Sequence, residues 1–543
     1  MTMGCRTLLP LAASTSDTVL LAPSPTTLIQ VTQTPPATQT ALPSVTPSAT
    51  AVPTTTVSPL PSPLASPAPL APLPSPTAAP QSADGFTVYL HPDGPLYVGD
   101  LVSLEIVPPP GVDMKGQQAQ VQVETQTLGP VKFDPFGIGG RNQATFQWAW
   151  DTSSLTPGEH TLTFTITPLG ATWTRQVSLL PRLDLPAELA DAHWAKATNS
   201  CCVIHYITGT QAARDMPQLQ KVIDAQAQDV SRKLGVEIKD PIQITLLPRV
   251  LGQGGFTSAQ IAVSYLNRNY MGSDFAMVMH HELVHALDDR AGGDLRPTIF
   301  VEGLAVYLTG GHFKPEPLMP RAAALLPPEI GCEPVPPDAK TLSNPEGPPC
   351  GLGRFIPLRK LADNFYASQH EIGYLEGAAL IEYMVKTWGW DAFNKFYRDI
   401  HKAPSGSQSD AIDAALNKHF GIGLNALESQ FVAALRQEQL DPRWVTDVRL
   451  TTAYFDAARR YQLILDPSAY FMNAWLPDPS EMQRRGIVAD YIRRPEAPEN
   501  IAIETMLVGA GVALRTGDYT RLDEMLQAIN AMLDVYDQRQ TSR

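Results

Sequence analysis

His281, Glu282 and His285 form the pattern His-Glu-x-x-His inside SDFAMVMHHELVHALDDRAGG, residues 273–293. On a helix, residues four apart lie about 40° round the axis and about 6 Å along it, so both imidazoles can reach one ion. Glu282, between them, sits in the register of a general base acting on water at that ion. Two imidazoles do not complete a catalytic zinc site, which takes three protein ligands and leaves a fourth position open. Glu302, in RPTIFVEGLAVYLTGG, is the third candidate, because a carboxylate inside an otherwise apolar helix needs a cation. The expected metal set is therefore His281, His285 and Glu302, holding one Zn2+ per chain.

HHELVHAL followed by FVEGLAVYLTG resembles the gluzincin metallopeptidases, most closely the peptidase MA-like group, whose second helix reads W-x-x-E-G-x-A-x-Y. The resemblance runs over roughly residues 200–436 and includes YLEGAALIEYMVKTWGWDAFNKFYRDI and FGIGLNALESQFVAAL. Two positions depart from the pattern. Ile299 stands where the group has Trp, and Val306 stands where an acidic residue would orient the third ligand. The resemblance implies an α+β thermolysin-like zincin domain that hydrolyses peptide bonds, with zinc activating the water and Glu282 carrying the proton to the leaving amine. It also implies a tyrosine donor for the oxyanion well beyond the third ligand, for which Tyr374 is the candidate, with Tyr307 and His312 as weaker alternatives. His280 points to another face of the helix and is expected to be structural.

Several elements must position these groups. Ser273 reads as the cap of the metal helix and Gly292-Gly293 as its stop; Pro297 and Gly310-Gly311 bound the helix of Glu302. Upstream, VIHYI (203–207) reads as a strand, 215–234 as a helix, and Ile242/Ile244/Leu246 and Ile261/Val263/Tyr265 as strands, a β-α-β-β unit leading into the motif. The resemblance implies an edge strand just before the metal helix on which an extended peptide could pair, and IAVSYL (261–266) occupies that position; a plain sheet strand is the equal alternative. Tyr374 falls at the head of a helix over 373–388. Between the two halves of the site, 315–349 carries eleven prolines and includes Cys332, with Cys350 directly after it, which suggests a stiff, disulfide-closed loop rimming the cleft. Adjacent Cys201 and Cys202 are read as containing one buried thiol in a strand rather than a vicinal bond.

The rest of the chain bounds the setting. Lys+Arg 40 against Asp+Glu 54 gives a net charge of −14, which disfavours nucleic acid as a partner. Residues 1–85 are rich in Pro, Thr and Ser, without a charged residue between Asp17 and Asp84, and read as a disordered tether. Gly4-Cys5, before that tether, resembles the end of a bacterial lipobox, so Cys5 is a candidate lipid anchor and the expected location is extracellular or at a bacterial cell surface. Period-two apolar runs over 86–183 read as an all-β sandwich, and LTPGEHTLTFTI resembles the closing hairpin of immunoglobulin-like modules. Residues 187–440 form the expected metallopeptidase domain and 441–543 an α-helical C-terminal domain. The leading expectation is thus an exported zinc metallopeptidase acting on a peptide or protein. The alternative is a catalytically silent surface binding or adhesion protein that keeps the zincin fold.

Overall fold

The computed structural model describes residues 85–136, 141–250, 252, 254–272, 274–337, 348–367, 370–474 and 479–541. Cys5, Ser273 and the Pro-rich segment up to residue 84 lie outside the described residues.

The first part of the described chain is all strand: β1 (Thr87–His91), β2 (Leu96–Tyr97), β3 (Leu101–Val107), β4 (Gln118–Val123), β5 (Gln126–Lys132), β6 (Asp134–Phe136), β7 (Arg141–Asp151), β8 (Gly158–Thr167) and β9 (Ala171–Leu180). Two sheets result, ordered β1-β3-β7-β6 and β2-β9-β8-β4-β5. Their inward residues alternate as the sequence does: Val121 and Val123 on β4 and Leu162, Phe164 and Ile166 on β8 meet Val102, Leu104 and Ile106 of β3 in one apolar core.

A third, mixed sheet follows, built from β10 (Trp194–Thr198), β11 (Cys202–Ile207), β12 (Ile242–Leu247), β13 (Gly255–Thr257) and β14 (Ile261–Ser264), after the short helix α1 (Ala187–Ala190). Its order is β10-β11-β12-β14-β13. Strands β11, β12 and β14 run parallel, and β11 passes to β12 through α2 (Gln211–Leu234), whose Leu219, Ile223, Ala227 and Val230 are buried. The segment 261–264 is therefore interior, paired on both sides. The edge belongs to β13, three residues upstream of the expected place, because the chain turns back at Ser258–Gln260 and pairs antiparallel with β14.

Helix α3 (Phe275–Ala291) carries the His-Glu-x-x-His motif and α4 (Thr298–Thr309) carries Glu302. Asp274 caps α3, its Oδ1 accepting from the Ala276 N–H at 2.8 Å. Pro297 sits just outside α4 rather than in its first turn. The chain continues through α5 (Leu318–Ala323), α6 (Leu358–Asp363), α7 (His370–Trp388), α8 (Trp390–Arg398), α9 (Gln408–Phe420) and α10 (Leu424–Gln437). Helix α5 lies inside the Pro-rich segment expected to be a rim loop, yet Leu318, Met319, Ala322 and Ala323 are buried. Its prolines suit a short helix, Pro317 preceding it and Pro320 falling in its first turn. Cys332 and Cys350 are bonded, closing the segment as expected. Cys201 and Cys202 are bonded to each other, where a thiol was expected; Asn199 folds the turn before them by accepting from the Cys202 N–H at 2.9 Å.

The remainder is helical: α11 (Pro442–Leu465), α12 (Pro467–Ala474), α13 (Pro479–Arg485), α14 (Ala489–Ile492), α15 (Pro498–Thr516) and α16 (Tyr519–Thr541). Among the described residues, no helix is long and apolar enough to cross a membrane.

Candidate metal centre

Helix periodicity places His281 and His285 on one face of α3, and the turn over 292–297 brings α4 back against it. The ligand atoms of His281, His285 and Glu302 all lie within 4.8 Å of one another. The two Nε2 atoms are 3.0 Å apart, and Glu302 Oε2 stands 3.5 Å from that of His281 and 3.2 Å from that of His285. All three side chains are about nine-tenths buried. Two imidazole nitrogens and one carboxylate oxygen converging in this way are the donor set of a catalytic zinc site, so these residues fit that ion.

The charges follow from the same crowding. Burial raises Glu302, but the neighbouring His285 and His281 outweigh it and hold the carboxyl well below its usual range. Burial lowers His281 more than its bond to Glu302 lifts it, and its pKa falls to about 4. For His285 the attraction of Glu302 wins over burial and raises it to about 9. The two rings thus shift in opposite directions, His281 towards its neutral form and His285 towards its charged form.

Glu302 also accepts a 2.5 Å hydrogen bond at Oε1 from the hydroxyl of Tyr366. That contact orients the Glu302 carboxylate, which Val306 cannot do, being itself buried among apolar side chains. Among the described residues, neither Nδ1 of His281 nor Nδ1 of His285 has a hydrogen-bond partner, so the outer support goes to the carboxylate.

Glu282 lies near the triad, within the electrostatic reach of His285 and Glu302, and also against β13. Its Oε2 accepts from the Thr257 hydroxyl at 2.5 Å, and Gly255 passes so close that a Cβ there would lie 2.6 Å from Oε1. Burial pushes Glu282 up to about 7, against the lowering influence of His285 and Thr257. A carboxylate titrating near neutrality is suited to taking and returning a proton.

Tyr374 lies in α7 with its ring edge-on to His281 at 6.1 Å and stacked on His312 at 4.2 Å. Burial drives its hydroxyl well above 10, so it stays protonated. His312, beyond the end of α4, is 5.6 Å from the His281 ring, and its Nδ1 pairs with Glu371 Oε2 at 2.9 Å. Tyr307 is raised by burial first and by Glu382 next, with Lys386 opposing, so its charged neighbours are not the triad. His280 bonds Thr309 at 2.8 Å and Asp229 at 3.1 Å, tying α3 to α4 and α2.

The triad is thus assembled as expected, Tyr374 and His312 lie beside it, and Tyr366, Thr257, Gly255 and Glu371 are additions. Glu371 alone had a local signal, an acid in the first turn of a helix. Tyr366 and Thr257 sit outside any helical register, in a single 3-10 turn (Phe365–Ala367) and a three-residue strand, and reach the site only through the fold.

No known family model matches the chain, and no curated protein gives a significant match.

Proposed function

We propose that the chain is a zinc-dependent peptidase of gluzincin type, its third sheet and helices α2–α10 forming a thermolysin-like unit behind an immunoglobulin-like β-sandwich. The observation that carries this reading is the convergence of His281 Nε2, His285 Nε2 and the Glu302 carboxylate, with a second buried carboxylate, Glu282, on the same helix. A pure metal-binding or adhesive module has no use for a base between two ligands.

Zinc, when bound, supplies a Lewis acid that polarises the scissile carbonyl and makes water acidic enough to attack it. The chain's own residues do the rest. Glu282 takes the proton of the attacking water on Oε1, the oxygen that Thr257 leaves open, and returns it to the leaving nitrogen. Tyr366 keeps Glu302 in place as a ligand. The protonated hydroxyl of Tyr374 is the candidate donor to the developing oxyanion.

Strand β13 supports the peptide as substrate. The Ser264 N–H donates to Gly254 O and the Ser258 N–H to Gln260 O, so by antiparallel alternation the N–H and C=O of Gly255 and Thr257 face the unpaired side of the strand. An extended peptide laid there would run past Glu282. The Pro-rich tether and Gly4-Cys5 support an exported, surface-held protein with Cys5 as lipid anchor.

The test is direct. Elemental analysis should find one zinc per chain, and the loaded protein should cleave peptides in a chelator-sensitive way, with Glu282→Ala lowering kcat at least about 100-fold while zinc stays bound. Stoichiometric zinc without hydrolysis of any member of a diverse peptide library would favour the silent binding protein instead.

A further inference from the structure

We infer that Thr257 is a positioning residue for Glu282: its hydroxyl orients the base from the same strand whose free edge would hold the substrate. The inference rests on the peptidase reading and extends it to a residue outside the metal motif.

Helix α3 sets where the Glu282 backbone lies but leaves the side-chain torsions open. Two neighbours on β13 restrict them, Thr257 and Gly255. The Thr257 hydroxyl reaches Glu282 Oε2 at 2.5 Å and stands 3.2 Å from the Glu282 carbonyl oxygen. Gly255, two residues back and hence on the same face of β13, would bring a Cβ to 2.6 Å from Oε1 and 2.8 Å from Cγ, so the Glu282 side chain packs closely against its backbone. Between them Phe256 points to the opposite face and is 48% exposed. Oε2 is thereby tied to Thr257, while Oε1 lies against the Gly255 backbone. Catalysis is sensitive to this placement, because a shift of about 1 Å in a reacting group can cost on the order of 100-fold in rate.

The edge role and the clamp role fall on one residue. The backbone of Thr257 faces the unpaired side, and its side chain faces the base, so a peptide paired with β13 and the base that serves it share one rigid reference. Glycine at 255 is required for the same reason: any side chain would displace Glu282.

The experiment compares zinc-loaded full-length wild type with Thr257→Val, which replaces the hydroxyl by a methyl of equal size, and with Thr257→Ser, which retains it. Melting temperature and zinc content verify that each variant folds and loads. The expected result for Thr257→Val is a kcat lowered about 10- to 100-fold with KM within about twofold of wild type, and for Thr257→Ser a kcat near that of wild type. In parallel, the carboxyl 13C resonance of Glu282, assigned through Glu282→Gln, should move in Thr257→Val and stay in place in Thr257→Ser. An unchanged kcat in Thr257→Val, or a Thr257→Ser as slow as the valine variant at equal melting temperature, overturns the inference. If the wild type cleaves no peptide, the peptidase reading falls by itself; the resonance still decides Thr257, and its failure to move in Thr257→Val overturns the positioning role.

Discussion

Three side chains from two helices share a space in which burial and one carboxylate together shift two rings in opposite directions. Glu302 is ionised, His281 is neutral and His285 carries the proton, because each ring answers to a different balance of burial and the same carboxylate. Ligation requires both imidazoles to be free of protons at the coordinating nitrogen. With His285 near 9, zinc binding at pH 7 should therefore release about one proton, and apparent affinity should rise about tenfold per pH unit up to roughly pH 9 and then level off. Calorimetry in buffers of differing ionisation enthalpy measures the proton directly; a release of zero at pH 7 would contradict the charge assignment. Tyr366 belongs to this scale too, since its bond to Glu302 supplies the orientation that position 306 cannot.

Helices α4 and α7 approach more closely than side chains would allow. A Cβ on Gly303 would lie 2.5 Å from the carbonyl carbon of Gly377, and one on Gly377 would lie 2.8 Å from the Ile299 oxygen. Glycine at both positions lets the two backbones touch, which brings Glu302, one residue before Gly303, within electrostatic reach of Tyr374 on α7. Gly303→Ala should push the helices apart, lower stability by about 1–3 kcal/mol and weaken zinc binding together with it. Thermal melting and zinc titration of the variant would test this, and an unchanged melting temperature would argue against the close contact. At the far end of α3, Tyr397 and Arg398 of α8 hold Asp288, at 2.8 and 2.6 Å, one turn beyond His285. The metal helix is thus anchored at both ends, by Asp274 capping and by Asp288 pairing.

Across the whole molecule the three regions are joined by buried charge. Asp447 of α11 is fully buried and pairs with Arg321 Nε at 2.8 Å and with Lys314, while Tyr519 of α16 donates to it at 2.6 Å. Val445 and Val448 enter the same apolar core as α3 and α4. The C-terminal helices accordingly supply packing that the motif-bearing helices lack without them. On the other side, Arg493 bridges both oxygens of Asp100 at 2.7 and 2.9 Å, and the Trp148 indole donates to Asp490 at 2.5 Å. Asp490 Oδ1 has no hydrogen-bond partner among the described residues, and burial lifts this carboxyl to about 6. A folded pKa above the unfolded 3.8 means that the native state holds the extra proton. The contribution is full below pH 4 and is lost as pH rises through 6, about 3 kcal/mol in all. Asp490→Asn keeps an acceptor for Trp148 and removes the titration, so it should match the wild type near pH 4 and exceed it by up to about 3 kcal/mol at pH 7 in denaturant unfolding. A difference that does not vary with pH would contradict the assignment.

What the amino-acid sequence determined by itself was whatever depends on neighbours a few positions away. Residues 281, 282 and 285 share a helix because helical spacing places them, Glu302 stands out because its own helix is apolar, and the alternation of β4 and β8 is readable because strand faces repeat every two residues. Tertiary structure decided the rest, since the remaining contacts join segments with no fixed register between them. The turn at Ser258–Gln260 gave the sheet edge to β13 and not to 261–266, which put Thr257 and Gly255 against Glu282. The touching backbones at Gly303 and Gly377 set Tyr374 beside His281, and the 3-10 turn before α7 delivered Tyr366 to Glu302. No periodicity encodes such meetings; they exist only once burial has fixed the relative positions of whole elements.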